Sequence, residues 1–317
     1  MTTTTTPAEA TARILLPRGK RNSRLRRENL AGYAFMTPWL IGFVLIIGGP
    51  VLVSLYLSFT DYSILGDPEW IGLKNYQRMF RSDPRFWSAL RVTFTYLLVS
   101  VPLVQIFALF LATILNRGIR GLTIYRAIFY VPSLIGGSVA IAILWRFIFS
   151  ADGLLNNFLS IFGIDTDYSW IGTPTTALST LILLNVWQFG AAMIIYLAGL
   201  RQVPTELYEA ATMDGAGIWR KFVSVTLPML SPIIFFNVLM NIVAAFQAFN
   251  SAYIVSNGTG GPADSTLFYT LYLYQRGFVD FDMGYASALG WVLLVVSAAV
   301  AALLFWLSRR VVFYGDE

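Results

Sequence analysis

The sequence predicts an all-α integral membrane protein with six transmembrane helices and both termini on the cytoplasmic side. Three observations carry this. Charged residues make up 12% of the 317 positions, about half the ~25% usual for a soluble domain. Apolar types make up 56%, with a mean hydropathy of +0.65, so a soluble surface could not be covered. The apolar residues also fall into six runs, each close to the ~20 residues that cross a bilayer core.

The first run extends from about Tyr33 to Thr60. It is too long for a signal-peptide h-region and no A-x-A-like site ends it, so no cleaved leader is expected. The second runs from about Val92 to Leu115. The third, about Ala127 to Phe149, contains Pro132, Gly136 and Gly137, with Arg146 near its end. A kink or re-entrant break fits there. The fourth is Ala177 to Leu200, the fifth Met229 to Val255 and the sixth Gly284 to Leu307.

Charge orients these runs. Residues 1–30 form a basic tail, Thr2 to Thr6 followed by Arg13, Arg18, Lys20, Arg21, Arg24, Arg26 and Arg27. A disordered cytoplasmic tail is expected, ahead of one membrane domain over 31–317. Every second loop is then cytoplasmic and holds Arg117, Arg120 and Arg126, then Arg201, Arg220 and Lys221, then Arg309 and Arg310. That side holds most of the 22 basic residues, in keeping with the positive-inside rule. The first outer loop is the exception, with Lys74, Arg78, Arg81, Arg85 and Arg91. It also carries Asp61, Asp67, Glu69 and Asp83 and is expected to be a small folded connector.

The chain has no Cys and no His. Disulfides, thiolate or imidazole metal sites, and Cys- or His-dependent catalysis are thereby excluded. No GxxxxGK[ST] occurs, so ATP cannot be bound by a Walker A loop. No cofactor, metal or nucleic-acid partner is expected; the net charge of +5 is ordinary for a membrane protein.

The inner loop 201–228 is the most informative segment. Pro204 suits a first helical position, and Glu206 and Glu209 suit the positive end of a helix. Leu207, Ala210 and Ala211 then share a small apolar face. Gly215 can end that helix with a positive φ. Trp219, Phe222 and Val225 give a second short helix an apolar side before Pro228 opens the fifth span. Such a loop either docks into a groove of another protein or lies on lipid headgroups.

Glu209-Ala210-Ala211, then Gly215, then Val225-Thr226-Leu227-Pro228, resembles the EAA loop of binding-protein-dependent ABC importer permeases, with Val225 in place of Ile. Asp214-Gly215-Ala216 fits its extended form. A second stretch is similar to sugar-importer permeases: Phe249, Gly258, Gly260-Gly261-Pro262, Ser265-Thr266, Tyr274, Gly277-Phe278 and Gly284-Tyr285-Ala286-Ser287-Ala288. Here Gly258 replaces the usual Thr and Gly277 the frequent Ala. Phe35 to Pro38, Pro50, Ser58-Phe59 and Gly72-Leu73-x-Asn75-Tyr76 also fit. The resemblance covers nearly everything after the tail and is nearest to the MalF/UgpA-like half of a permease pair.

It implies a type I ABC importer permease fold, a transport subunit rather than an enzyme, in a bacterial inner membrane. It also implies a MalG/UgpE-like second permease, a dimer of separate ATPase subunits, an extracytoplasmic sugar-binding protein and a small sugar as cargo. Glu209, Ala210, Ala211, Asp214 and Gly215 would form the contact through which the ATPase drives alternating access.

Polar side chains in apolar spans are the candidates for cargo contact. Gln247 and Asn250 are three residues apart and Tyr253 three further, one stripe of a continuous helix. Asn237 and Asn241 precede them, and the fourth span adds Asn185, Trp187 and Gln188. Amides with an aromatic suit sugars, which need paired donors and acceptors and a flat apolar face. The alternative role for each amide is interhelical bonding. Arg146 either snorkels, paired with Asp152, or binds an anionic cargo such as a phosphorylated polyol. Rival classes are an ion-coupled secondary transporter, a membrane enzyme and a scaffold. No Asp or Glu lies deep in a span, which argues against proton coupling.

Overall fold

The computed structural model describes residues 32–118 and 121–313. The basic tail expected over 1–30 lies outside them. The described residues divide into two compact units after Tyr56.

The first unit is essentially one helix, α1 (Gly32–Leu57). Its turn Phe43–Gly48 is π-helical, with the Gly49 N–H reaching Val44 O. Pro50 follows directly. A proline lacks an N–H and crowds the carbonyl of residue i−4, and a widened turn relieves that crowding.

The second unit opens with a two-stranded hairpin, β1 (Thr60–Asp61) against β2 (Glu69–Trp70), with Thr60 opposite Trp70. A short helix α2 (Lys74–Arg81) follows. Asn75 fastens it by donating from Nδ2 to Ser58 O and Thr60 O, at 3.0 and 2.9 Å. Then comes the longest helix, α3 (Pro84–Leu115, 32 residues), about 48 Å at 1.5 Å per residue. Asp83 caps it by accepting from the N–H groups of Arg85 and Phe86.

The third and fourth runs are each a bent pair. α4 (Leu122–Ile135) and α5 (Val139–Ile148) meet at 97°, and α7 (Pro174–Trp187) and α8 (Gly190–Leu200) at 41°. A short α6 (Leu154–Ser160) lies between the pairs. After α8 come α9 (Thr205–Met213), α10 (Ile218–Phe246), α11 (Asn250–Val255), α12 (Tyr269–Tyr274) and α13 (Met283–Val311). Among the described residues four helices are long and apolar enough to cross a bilayer unbroken, and up to six spans result when each bent pair counts as one.

Two corrections concern the fifth run. Pro228 does not open a span: α10 begins ten residues earlier and passes it through a π-helical turn at Phe222–Thr226, the device also seen before Pro50. The same helix stops at Phe246 rather than Val255.

α3 organises the packing. Its first half joins α12 and α13 around Phe86, Tyr269, Tyr272 and Tyr285; its second half packs Ala108 and Ala112 on α8 and α10. Small residues allow that close approach. A buried polar seam crosses this contact: Tyr196 donates to Gln105 Oε1, and Gln105 Nε2 donates to Asn237 O at 3.4 Å. Asn237 joins this seam through its backbone carbonyl, its side-chain Nδ2 has no hydrogen-bond partner among the described residues, and it does not line the cavity described below.

The basic first outer loop has a structural explanation. Arg78 pairs with Asp282 at 2.8 Å and Arg85 with Asp264 at 3.0 Å, joining segments far apart in sequence, while Arg276 pairs with its neighbour Asp280 at 3.1 Å. Asp83 is the buried hub. It accepts from the Tyr272 and Tyr285 hydroxyls, with Arg276 3.9 Å away. Burial pushes its carboxyl up, but the two phenols, the Phe86 N–H and the Arg276 charge outweigh burial and hold it below the usual value of 3.8.

Because the folded value is the lower one, this contribution is full above pH 3.8 and fades as pH falls through the folded pKa. Asp83→Ala strands two buried phenols, while Arg276 keeps its pair with Asp280, and is expected to cost about 2–4 kcal/mol. A thermal midpoint in detergent checks this; an unchanged midpoint at neutral pH would remove Asp83 as the hub.

Candidate functional site

The loop between α8 and α10 is built around α9. Pro204, expected at the first helical position, is instead the N-cap (ψ 134°), one residue before the helix begins at Thr205, and Pro204 O accepts the Leu207 N–H. The helix ends in a Schellman motif. The Ala216 N–H reaches Ala211 O at 2.8 Å and the Gly215 N–H reaches Thr212 O at 3.0 Å. Gly215 holds φ +73°, the left-handed conformation that glycine adopts without a Cβ penalty. The Tyr208 and Thr226 hydroxyls bond at 2.9 Å and fix α9 to the π-helical turn of α10.

Glu206, Leu207, Glu209, Ala210, Met213 and Asp214 are all exposed, and Ala211 is half-buried. The face carrying Leu207 and Ala210 is therefore left open among the described residues. The expected second helix is not separate: Trp219 and Phe222 lie on the first turns of α10.

The second constellation sits where three helices break. α4 stops at Gly136-Gly137 and α5 restarts with Ser138 as N-cap, its Oγ accepting the Ile141 N–H. α7 gives way to α8 at Gln188-Phe189. Ser133 bridges that gap, donating to Gln188 O at 2.8 Å and accepting the Ala191 N–H at 2.9 Å. α10 gives way to α11 across residues 247–249, where Thr270 donates to Ala248 O. Side chains thus take up backbone groups that each break frees, as an apolar surrounding demands.

The breaks share a cavity of about 240 Å³. Asn185, Gln188, Gln247 and Asn250 line it, with Ser138 and the ring of Tyr96. No Asp, Glu, Lys or Arg is in the lining. A Cβ on Gly136 would stand 2.3 Å from Gln188 Cδ, so a larger residue there would displace the Gln188 side chain.

Four of the six residues expected at a cargo site therefore meet, and two do not. Trp187 packs on Trp145, ring centroids 5.9 Å apart. Tyr253 stacks on Phe249 at 5.3 Å and meets Tyr274 edge-on at 5.5 Å. The helical stripe 247–250–253 does not exist, because the chain turns between Gln247 and Asn250. Arg146 is exposed and donates to Asn257 Oδ1; no ion pair with Asp152 occurs among the described residues. Ser138 and Ser133 were missed. The Gly136-Gly137-Ser138 run carries an N-cap signal for the first; no local signal marks the second.

The description "Binding-protein-dependent transport system inner membrane component" matches residues 106–313. The chain belongs to that family. It is a multi-pass membrane component of a transport system, not an enzyme. The permease is 52% identical to "Probable ABC transporter permease protein YesP" of Bacillus subtilis strain 168, over 94% of its own chain and 96% of the relative. It is 33% identical to "Lactose transport system permease protein LacF" of Rhizobium radiobacter, over 92% and 98%. In fold it is similar to a solved bacterial alginate ABC transporter in complex with an alginate pentasaccharide-bound periplasmic protein. There the TM-score is 0.77 at 24% identity, over 91% of the permease and 96% of that chain.

Proposed function

We propose that this permease is one membrane half of an ATP-driven importer of uncharged saccharides. The carrying observation is the convergence of four amides on one cavity without ionised groups, at three helix breaks. Amides donate and accept at fixed geometry, which matches the paired hydroxyls of a sugar. An uncharged lining gives no compensation to a carboxylate or phosphate that must leave water. Relatives named for lactose, trehalose/maltose and arabinooligosaccharide transport support this class. Arg146, bonded to Asn257 and outside the cavity lining, gives the phosphorylated-polyol alternative no support.

In this reading the termini and α9 face the cytoplasm. A second permease completes the pathway, a binding protein delivers the sugar to the opposite side, and two ATPase subunits receive α9 in a groove. Glu209, Ala210, Ala211, Asp214 and Gly215 form that contact. ATP binding closes the ATPases, α9 moves with them, and the Tyr208–Thr226 bond passes the movement to α10, whose far end is capped by Gln247. For this to work the contact must differ in energy between the two states.

The chain has no cysteine, so Ala210→Cys introduces a unique thiol. A photoreactive maleimide placed there is expected to cross-link to the ATPase subunit, with a yield that changes on ATP addition. Cross-linking to lipid alone would overturn the coupling role.

A further inference from the structure

We propose that the cleft between the C-terminal end of α3 and the first turns of α10 holds one acyl chain of an anionic phospholipid, with Arg117 and Lys221 binding its phosphate. The cleft has a volume of about 720 Å³, three times that of the polar cavity. Its walls are Ile106, Leu109 and Phe110 on one side and Trp219, Phe222 and Leu227 on the other. The hydroxyls within it already have partners: Thr113 donates to Leu109 O at 2.8 Å, and Tyr208 and Thr226 bond each other. The interior therefore suits hydrocarbon, not water or a sugar.

Charge specifies the headgroup. Arg117 and Lys221 line the same cleft, no acid does, and neither cation is in an ion pair among the described residues. Glu206 and Glu209 stand outside the lining. Basic pockets between membrane helices favour anionic headgroups. The cleft is continuous with the exposed flank of α3, where Ile106 is 66% and Phe110 58% exposed, so a chain from the bilayer can enter sideways. Trp219, 79% exposed, is an amphipathic ring of the kind that settles at the headgroup level. This inference needs only that the chain lies in a membrane, and stands apart from the saccharide assignment.

The test is native mass spectrometry of the full-length permease titrated with dioleoylphosphatidylglycerol or dioleoylphosphatidylcholine. One phosphatidylglycerol is expected to be retained about thirtyfold more tightly, from two basic groups at the headgroup. Arg117→Gln with Lys221→Gln should abolish the preference, and Leu109→Trp, which fills the cleft, should remove both lipids. If Leu109→Trp fails to fold, the rim double variant still decides. Equal retention of the two lipids, or a preference that survives the double variant, would overturn the proposal. So would release of the bound lipid when the ATPase subunit is added, which would make a protein the occupant.

Discussion

Gly215→Pro is expected to abolish ATP-driven uptake, and Gly215→Ala to reduce it severalfold. The left-handed φ of +73° lies outside what a proline ring can adopt, and the substitution also deletes the N–H that bonds Thr212 O. The Schellman motif then cannot form and α9 loses its end. Alanine keeps the N–H and meets no neighbouring atom, so it carries only the left-handed penalty of about 1–2 kcal/mol. Uptake into proteoliposomes holding the complete transporter measures both, with ATPase binding scored by co-purification. Full uptake with Gly215→Pro would remove α9 as the coupling element.

The double variant Gln247→Ala, Asn250→Ala is expected to raise the KM for uptake about tenfold to thirtyfold while the ATPase remains bound. Each truncated amide removes a net ~1 kcal/mol of hydrogen bonding to cargo. Both side chains are exposed and neither is in a hydrogen bond among the described residues, so stability should be nearly unchanged. Asn185→Ala should act in the same direction, because it lines the same cavity. Trp187→Phe, which keeps an aromatic ring against Trp145, is the matched control.

Local chemistry explains which features the sequence revealed. The end of α9 was readable because its signals are short-range: acids at the start, glycine at the end. The break at Gly136-Gly137-Ser138 was readable for the same reason. The break after Phe246 was not, since Gln247-Ala248-Phe249 contains no glycine or proline; a tertiary bond from Thr270 to Ala248 O helps to hold it. Reading through that segment produced one continuous helix and placed Tyr253 with the amides. The helical run through Pro228 was hidden for the converse reason. A π-helical turn accommodates a proline that one-dimensional rules treat as a start. Likewise Arg78 and Arg85 looked like a breach of the charge rule until Asp282 and Asp264 came beside them.

The most direct test of the central claim is ATPase stimulation in a reconstituted assembly of this permease, its partner permease, the ATPase and the binding protein. The cargo panel should contain neutral oligosaccharides, uronates and phosphorylated polyols. Stimulation by a neutral saccharide is expected, with its half-saturating concentration raised by Gln247→Ala, Asn250→Ala and its amplitude lost in Gly215→Pro. Stimulation by an anionic cargo alone, abolished by Arg146→Gln and indifferent to the two amides, would contradict it.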